Sequence, residues 1–293
     1  MNLTSPSQVK AWCIENGFHP NRTLGQNFLI DRNSLDAIVD AAGVGAGARV
    51  LEIGPGLGVL TEALLARGAS VTTVEKDSRL AVRLADALGK PDGLRVIEGD
   101  ALALDPSELL SAGFDACVSN LPYSVGTRIL IELALHPLAP PRFTVLLQAE
   151  VAERLAAGPG CEARGQAGVW LQLDYDVRVV RTVRASCFWP RPEVDSSVVC
   201  LVRHACPLAP AERAFFFELT RYAFMHRRKQ LGAALRKAPE PIGCGSGDLA
   251  ARFAEAGVSP VARAEQLTLV QWQSLACAFI RERQASGAKK GNA

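Results

Sequence analysis

The chain has 293 residues, 48% of them hydrophobic, and a net charge of +2, enough apolar content for a sizeable core and enough length for a main domain with a smaller appendage. No run of about 18 uncharged apolar residues occurs, as a membrane-spanning helix requires, and the start "MNLTSPSQVKAWCIENGFHP" has no basic cluster followed by a long apolar stretch, so no membrane-spanning helix and a cytoplasmic location are expected. Eight cysteines without a C-x-x-C pair exclude the usual zinc and redox spacings, no metal constellation is visible, and Cys117 and Cys200 read as buried reduced thiols.

From about residue 48 short apolar runs alternate with helical ones: "ARVLEIG", "GVLTEALLARG", "SVTTVEK", "SRLAVRLADALG", "LRVIEGD", "FDACVSN", "GTRILIELALH" and "FTVLLQAE". Such alternation predicts an α/β fold with right-handed crossovers and a doubly wound, mostly parallel sheet. The runs "DYDVRVVRTV" and "DSSVVCLVRH", separated by "CFWPRPE", are expected as an antiparallel pair closing the sheet. Beyond residue 206 the pattern turns helical in "PAERAFFFELTRYAFMHRRKQLGAALRK", "GDLAARFAEAG" and "TLVQWQSLACAFIRERQ", with Phe217, Phe224, Leu231 and Leu235 within one narrow helical arc. These patterns divide the chain into a domain over 1–205 with an N-terminal helical extension, a small C-terminal helical domain over 206–285 and a disordered tail over 286–293. Arg203 to Lys237 holds eight Lys or Arg against two Glu, a net +6 that leaves −4 for the remainder.

Ligands of such sheets bind at the carboxyl ends of the strands. There "EIGPGLG" places Gly54, Gly56 and Gly58 between a strand and a helix, where backbone can approach a ligand closely, although a purely structural tight turn has the same glycines. A dinucleotide fingerprint needs glycine where Val59 stands, so the spacing suits a nucleoside cofactor without a pyrophosphate and disfavours an NAD-dependent dehydrogenase. Glu75 closes the second strand, where an acid can hold both ribose hydroxyls, and Asp100 follows the third, where it can accept from an adenine amino group. The fourth strand runs into "NLPY", Asn120 to Tyr123. An exocyclic adenine nitrogen is a poor nucleophile, and this tetrapeptide offers acceptors for its hydrogens in the Asn120 side-chain oxygen and the Leu121 or Pro122 carbonyl, with Tyr123 to stack on the base.

This order of glycine turn, ribose acid, adenine acid and N-L-P-Y resembles the S-adenosylmethionine-dependent adenine-N(6) methyltransferases of RNA. "LGQNFL", Leu24 to Leu29, with "QAEVAERLAAGPG", "FWPRPEVDSSVV", "HRRKQL" and "RAEQL", extends the resemblance over nearly the whole chain to the KsgA group, the dimethyltransferases of two adjacent adenosines in a hairpin loop near the 3′ end of 16S rRNA. The resemblance implies a Rossmann-like methyltransferase sheet, S-adenosyl-L-methionine as cofactor held by Asn27, Leu29, Gly54, Glu75, Asp100 and Asn120, and a role in small-subunit biogenesis with monomer as the default state. Phe188 is expected to pair with Tyr123 in a clamp on the flipped adenine, the alternative being an aromatic packed on the core. Arg227, Arg228 and Lys229 are expected on phosphates, the alternative being a solvated helix face. Departures from the family pattern fall at Ala149, where lysine is common, at Arg164 in "ARGQAGV", where an aromatic is common, and at Glu193, where lysine is frequent. The related large-subunit methyltransferases that confer macrolide resistance, and a non-catalytic RNA-binding assembly or transcription factor, are the rival readings.

Overall fold

The computed structural model of the chain describes residues 2–21, 25–243 and 246–290. Helix α1 (Pro6–Glu15) begins with proline in its first turn, where a missing N–H leaves nothing unpaired. After the two-residue strand β1 (Phe28–Leu29), Asp31 caps α2 (Arg32–Ala42) by accepting the Ser34 N–H at 2.8 Å, and left-handed Gly43 ends it. The expected alternation follows as β2 (Arg49–Ile53), α3 (Val59–Ala66), β3 (Ser70–Glu75), α4 (Ser78–Ala87), β4 (Leu94–Glu98), α5 (Pro106–Leu110), β5 (Ala116–Asn120), α6 (Gly126–Ala134) and β6 (Arg142–Gln148). Then come α7 (Ala149–Ala156), α8 (Gln166–Gln172), β7 (Tyr175–Val183), β8 (Phe188–Trp189), β9 (Ser196–Arg203), α9 (Pro210–Met225), α10 (Leu231–Leu235), α11 (Ser246–Glu255) and α12 (Leu269–Lys290).

Seven strands form one sheet in the order β4-β3-β2-β5-β6-β9-β7. Pairings from β4 through β6 are parallel, and β9 runs antiparallel to both β6 and β7, as the sequence predicts. On one face Leu35, Ile38 and Val39 of α2 and Leu60 and Leu64 of α3 bury Val50, Val71, Val118, Leu146 and Val198. Burial of this kind is why the inner strands read as apolar runs rather than as alternating patterns. Cys117 and Cys200 lie in β5 and β9 as free thiols, and burial pushes the Cys117 thiol up to about 12. Among the described residues no helix is long and apolar enough to cross a membrane, and no group of three or more His, Cys, Asp or Glu is placed to hold a metal ion.

The chain divides into two units with one boundary at Arg203/His204, two residues from the boundary the sequence suggests, and with an earlier segment that the sequence does not assign to the second unit. One unit is Met1–Glu153 with Tyr175–Arg203, and the other is Arg154–Asp174 with His204–Ala293. Most of the segment between β6 and β7, Arg154–Asp174, therefore belongs to the helical unit. Val169 and Leu173 sit in a core with Phe215, Phe216, Leu219 and Trp272, the Trp170 Nε1–H donates to Thr220 Oγ1 at 2.9 Å, and Arg213 grips Asp174 with Nη2 to Oδ2 at 2.6 Å. Within this unit the predicted long helix also breaks. It ends at Met225, the chain turns through His226 to Lys229, and α10 restarts where the N–H groups of Leu231 and Gly232 donate to the carbonyls of Ala262 and Pro260. Phe217 and Leu235 thus lie on different helices. At the other end α12 continues to Lys290, so 286–290 are helical where a disordered tail is expected, and 291–293 lie outside the described residues.

Candidate active site

A cleft opens at the carboxyl ends of β2, β3, β4 and β5 and is lined by Asn27, Leu29, Gly54, Glu75, Asp100, Asn120 and Tyr123, together with Glu52 and Lys76. Sheet order, not chain order, arranges these groups: Asp100 past β4, Glu75 ending β3, Gly54 after β2, and Asn120 ending β5. The sheet reverses its winding between β2 and β5, the switch point at which such sheets bind ligands.

Gly54, Gly56 and Gly58 all have positive φ (71°, 57° and 89°), which L side chains rarely adopt. Two of them are also hemmed in by protein: a Cβ on Gly56 would lie 3.0 Å from the Phe28 ring, and one on Gly58 2.6 Å from Leu84. At Gly54 the nearest atoms are those of the Pro122 ring at 3.8 Å, so that position keeps open space on the cleft side. The Gly56 N–H donates to Glu75 Oε2 at 3.1 Å and the Asp77 N–H to Oε1 at 2.8 Å. Glu75 is buried, and burial raises its pKa against the pull of these backbone donors. Asp100 behaves oppositely, because Lys76 Nζ donates to Oδ2 at 2.7 Å and the Leu102 N–H to Oδ1 at 3.0 Å, holding the carboxyl below its usual range. Sequence reasoning missed Lys76 and Glu52, although Lys76 adjoins Glu75 and Glu52 opens the quoted stretch "EIGPGLG". Glu52 is fully buried on β2, accepts from Thr61 Oγ1 at 2.7 Å, and is pushed up to about 8 by burial.

At the mouth, Asn120 Nδ2 donates to the Asn27 carbonyl at 3.0 Å, and among the described residues its Oδ1 accepts nothing. The Pro122 carbonyl accepts from the Gly126 N–H at 2.7 Å and the Val125 N–H at 3.2 Å, whereas no described donor reaches the Leu121 carbonyl. Of the two carbonyls left open by the sequence, Leu121 is the free one. Tyr123 is hydroxyl-bonded to Ser196 Oγ, which fixes one end of its ring. Leu29 is buried and pairs with Phe188 in the short β1–β8 ladder. That ladder corrects the expected clamp. Phe188 is 2% exposed, packs among Leu29, Val183 and Val198, and does not line the cleft, so it offers no free face to a base. Leu24 lies outside the described residues.

Residues 17–276 match the family described as ribosomal RNA adenine dimethylase. The chain belongs to this family. It is 37% identical over 287 residues to ribosomal RNA small subunit methyltransferase A of Geobacillus thermodenitrificans, covering 95% of this chain and 97% of that one. It is 40% identical over 281 residues to the protein of the same name from Opitutus terrae, covering 94% and 98%. Among solved structures it is similar to a dimethyladenosine transferase from Plasmodium falciparum, with a TM-score of 0.74 and 25% identity over 86% of this chain and 96% of that one. It is also similar to the 23S rRNA methyltransferase ErmE, with a TM-score of 0.68 and 27% identity over 87% of this chain and all of that one.

In this adenine dimethylase the basic triplet of the helical unit stands on the turn after α9, not on a helix face. Arg227 Nη2 donates to the Glu162 carbonyl at 2.9 Å, while Arg228 and Lys229 are exposed. The departures from the family pattern divide similarly. Glu193 is exposed, Ala149 is the first residue of α7, and Arg164 is buried in the helical unit with Nε and Nη2 unpartnered and only Nη1 bonded, to the Ala157 carbonyl at 3.2 Å.

Proposed function

We propose that the chain dimethylates the exocyclic amino groups of two adjacent adenosines in a hairpin loop near the 3′ end of 16S rRNA, within the small ribosomal subunit or its precursor, as a step of subunit biogenesis. The observation that carries this reading is the Asn120 amide, fixed by the Asn27 carbonyl so that Oδ1 stays free beside the free Leu121 carbonyl.

The residues present fit S-adenosyl-L-methionine. Glu75 is an acceptor for ribose hydroxyls, Asp100 for the adenine amino group, and Gly54 leaves a space that any side chain would narrow. When bound, this cofactor supplies an electrophilic methyl group on a sulfonium sulfur. The target adenine must leave its stack to enter the cleft, which favours a loop whose bases are already partly unpaired. Asn120 Oδ1 and the Leu121 carbonyl then accept the two amino hydrogens and aim the nitrogen lone pair out of the ring plane, while Tyr123 supports one face of the base. The nitrogen so held would take the methyl group as its bond to the sulfonium sulfur breaks, leaving neutral S-adenosylhomocysteine, and the proton of the now positive nitrogen, far more acidic, would leave to water. Placement and preset dipoles supply the catalysis.

The test offers methyl-labelled S-adenosylmethionine to unmethylated small subunits and, separately, to large-subunit RNA, followed by digestion to nucleosides. Dimethyladenosine from the small subunit alone is the expected result. Label in the large-subunit RNA would assign the chain to the resistance group, and no label in either would leave an RNA-binding factor.

A further inference from the structure

We propose that the free edge of β7 and the loop after it, carrying Arg178, Arg181, Arg184 and Arg191, form a second RNA-gripping surface that holds the phosphate backbone of the substrate beside the cleft. The proposal rests on the reading of the substrate as RNA.

Strand β7 is the last of the sheet, so one side of it pairs with β9 and the other has no partner strand. All four arginines are exposed. Five arginines elsewhere in the sheet unit are tied to carboxylates: Arg32 to Asp36, Arg49 to Asp115, Arg67 to Asp40, Arg79 to Asp77 and Arg128 to Glu132. The four on and after β7 make no ion pair or hydrogen bond through their side chains among the described residues, although Asp176 and Glu193 are close in sequence and exposed.

A β-bulge aligns two of them. Arg178 stands opposite Cys200 and Arg181 opposite Val198, with Val180 left over between the paired positions. Residues three apart on a regular strand point to opposite faces, whereas Cys200 and Val198 are two apart and share one, so the extra residue brings both arginines to the same side. The next position on that side is Val183, opposite Ser196, whose hydroxyl is bonded to Tyr123. The two aligned arginines therefore lead along the edge toward the wall of the cleft.

Charge decides the occupant. A second copy of β7 pairing edge to edge would bring arginines against arginines, which is unfavourable directly across strands. A polyanion meets no such repulsion, and arginine's forked donors match phosphate oxygens. A solvated edge protected from aggregation by its charges is the ordinary alternative for such a strand.

The test compares full-length wild type with the triple variant Arg178→Ala, Arg181→Ala, Arg184→Ala and with a control that removes as many charges from paired positions, Arg49→Ala, Arg67→Ala, Arg128→Ala. Binding to small-subunit RNA is measured against salt, alongside methyl-transfer kinetics and S-adenosylhomocysteine affinity. The β7 variant is expected to lose about 2 from the slope of log K against log salt and to raise KM for the subunit roughly tenfold, with kcat and S-adenosylhomocysteine affinity unchanged and the control close to wild type. A wild-type slope in the β7 variant would return the arginines to edge protection, and an equal loss in the control would replace local contact by overall charge. A wild-type dimer that the β7 variant dissociates would make the edge a protein interface. Wild type that binds RNA without methylating it would overturn the proposed function while the slopes still decide the edge, and wild type that binds no RNA would overturn both.

Discussion

Asn120 donates its side-chain N–H to the main-chain carbonyl of Asn27, 93 positions earlier, at 3.0 Å. The bond decides which end of the amide faces the cleft, and it uses a backbone atom of Asn27, so replacing the Asn27 side chain leaves it intact. Asn120→Ala is expected to lower kcat by about 100-fold or more, the scale for removing one preset polar group at a reacting centre, with thermal stability nearly unchanged. Asn120→Asp places a carboxylate against the Asn27 carbonyl and is expected to lose both turnover and cofactor affinity. Turnover near wild type in the alanine variant, measured by single-turnover transfer, would remove Asn120 from the mechanism.

Glu52 makes stability depend on pH. Burial raises its folded-state pKa from the usual 4.5 to about 8, so the folded chain holds the proton more tightly than the unfolded one. The resulting stabilisation is complete below about pH 4.5 and is lost as pH rises through about 8, a total on the order of 5 kcal/mol. Glu52→Gln cannot titrate. The difference in thermal midpoint between wild type and this variant should shift in the variant's favour from pH 5 to pH 9; a constant difference would show that Glu52 is ionised in the fold.

Arg228 and Lys229 are exposed on the turn after α9, while Arg227 is tied to the Glu162 carbonyl. Arg228→Ala with Lys229→Ala is therefore the cleaner test of phosphate contact. Each lost contact should reduce the salt slope of RNA binding by about 0.7 to 0.9, and the double variant should melt like wild type. An unaltered slope would leave these two cations merely solvated.

Arg164 is 1% exposed with two of its three guanidinium nitrogens unpartnered, and burial lowers its pKa. A buried charge without a partner costs more than an apolar side chain of similar volume. Arg164→Met is expected to raise stability by about 1–3 kcal/mol, read from denaturant midpoints, without changing S-adenosylhomocysteine affinity. A drop in stability would mean that Arg164 has a partner such as buried water.

The parallel sheet was legible because its strands are apolar runs set between amphipathic helices, and the cleft was legible because Gly54, Glu75, Asp100 and Asn120 all fall at strand ends. What escaped depends on contacts far apart in sequence. Asp174 and Arg213 join segments 39 residues apart, so the β6–β7 insertion carries no local sign that it belongs with the helices. The β1–β8 ladder has two residues in each strand, too few for periodicity, yet it decides that Phe188 is core rather than clamp. The bulge at Val180 leaves no trace in "DVRVVRTV", so Arg178 and Arg181 read as opposite-facing until the register is known.

The rim of the sheet acts as a ruler. Adjacent strands lie about 4.8 Å apart, and Asp100, Glu75, Gly54 and Asn120 stand on four successive strands, so distance along the rim is counted in strand widths. For the proposed cofactor, Asp100 would hold the base and Glu75 the sugar, Gly54 would leave room for the sulfur-bearing chain, and Asn120 would face the amino group to be methylated. Changing one contact blurs a single mark, but a one-residue slip in β3 would also turn Glu75 to the other face of the sheet and leave the sugar without its mark.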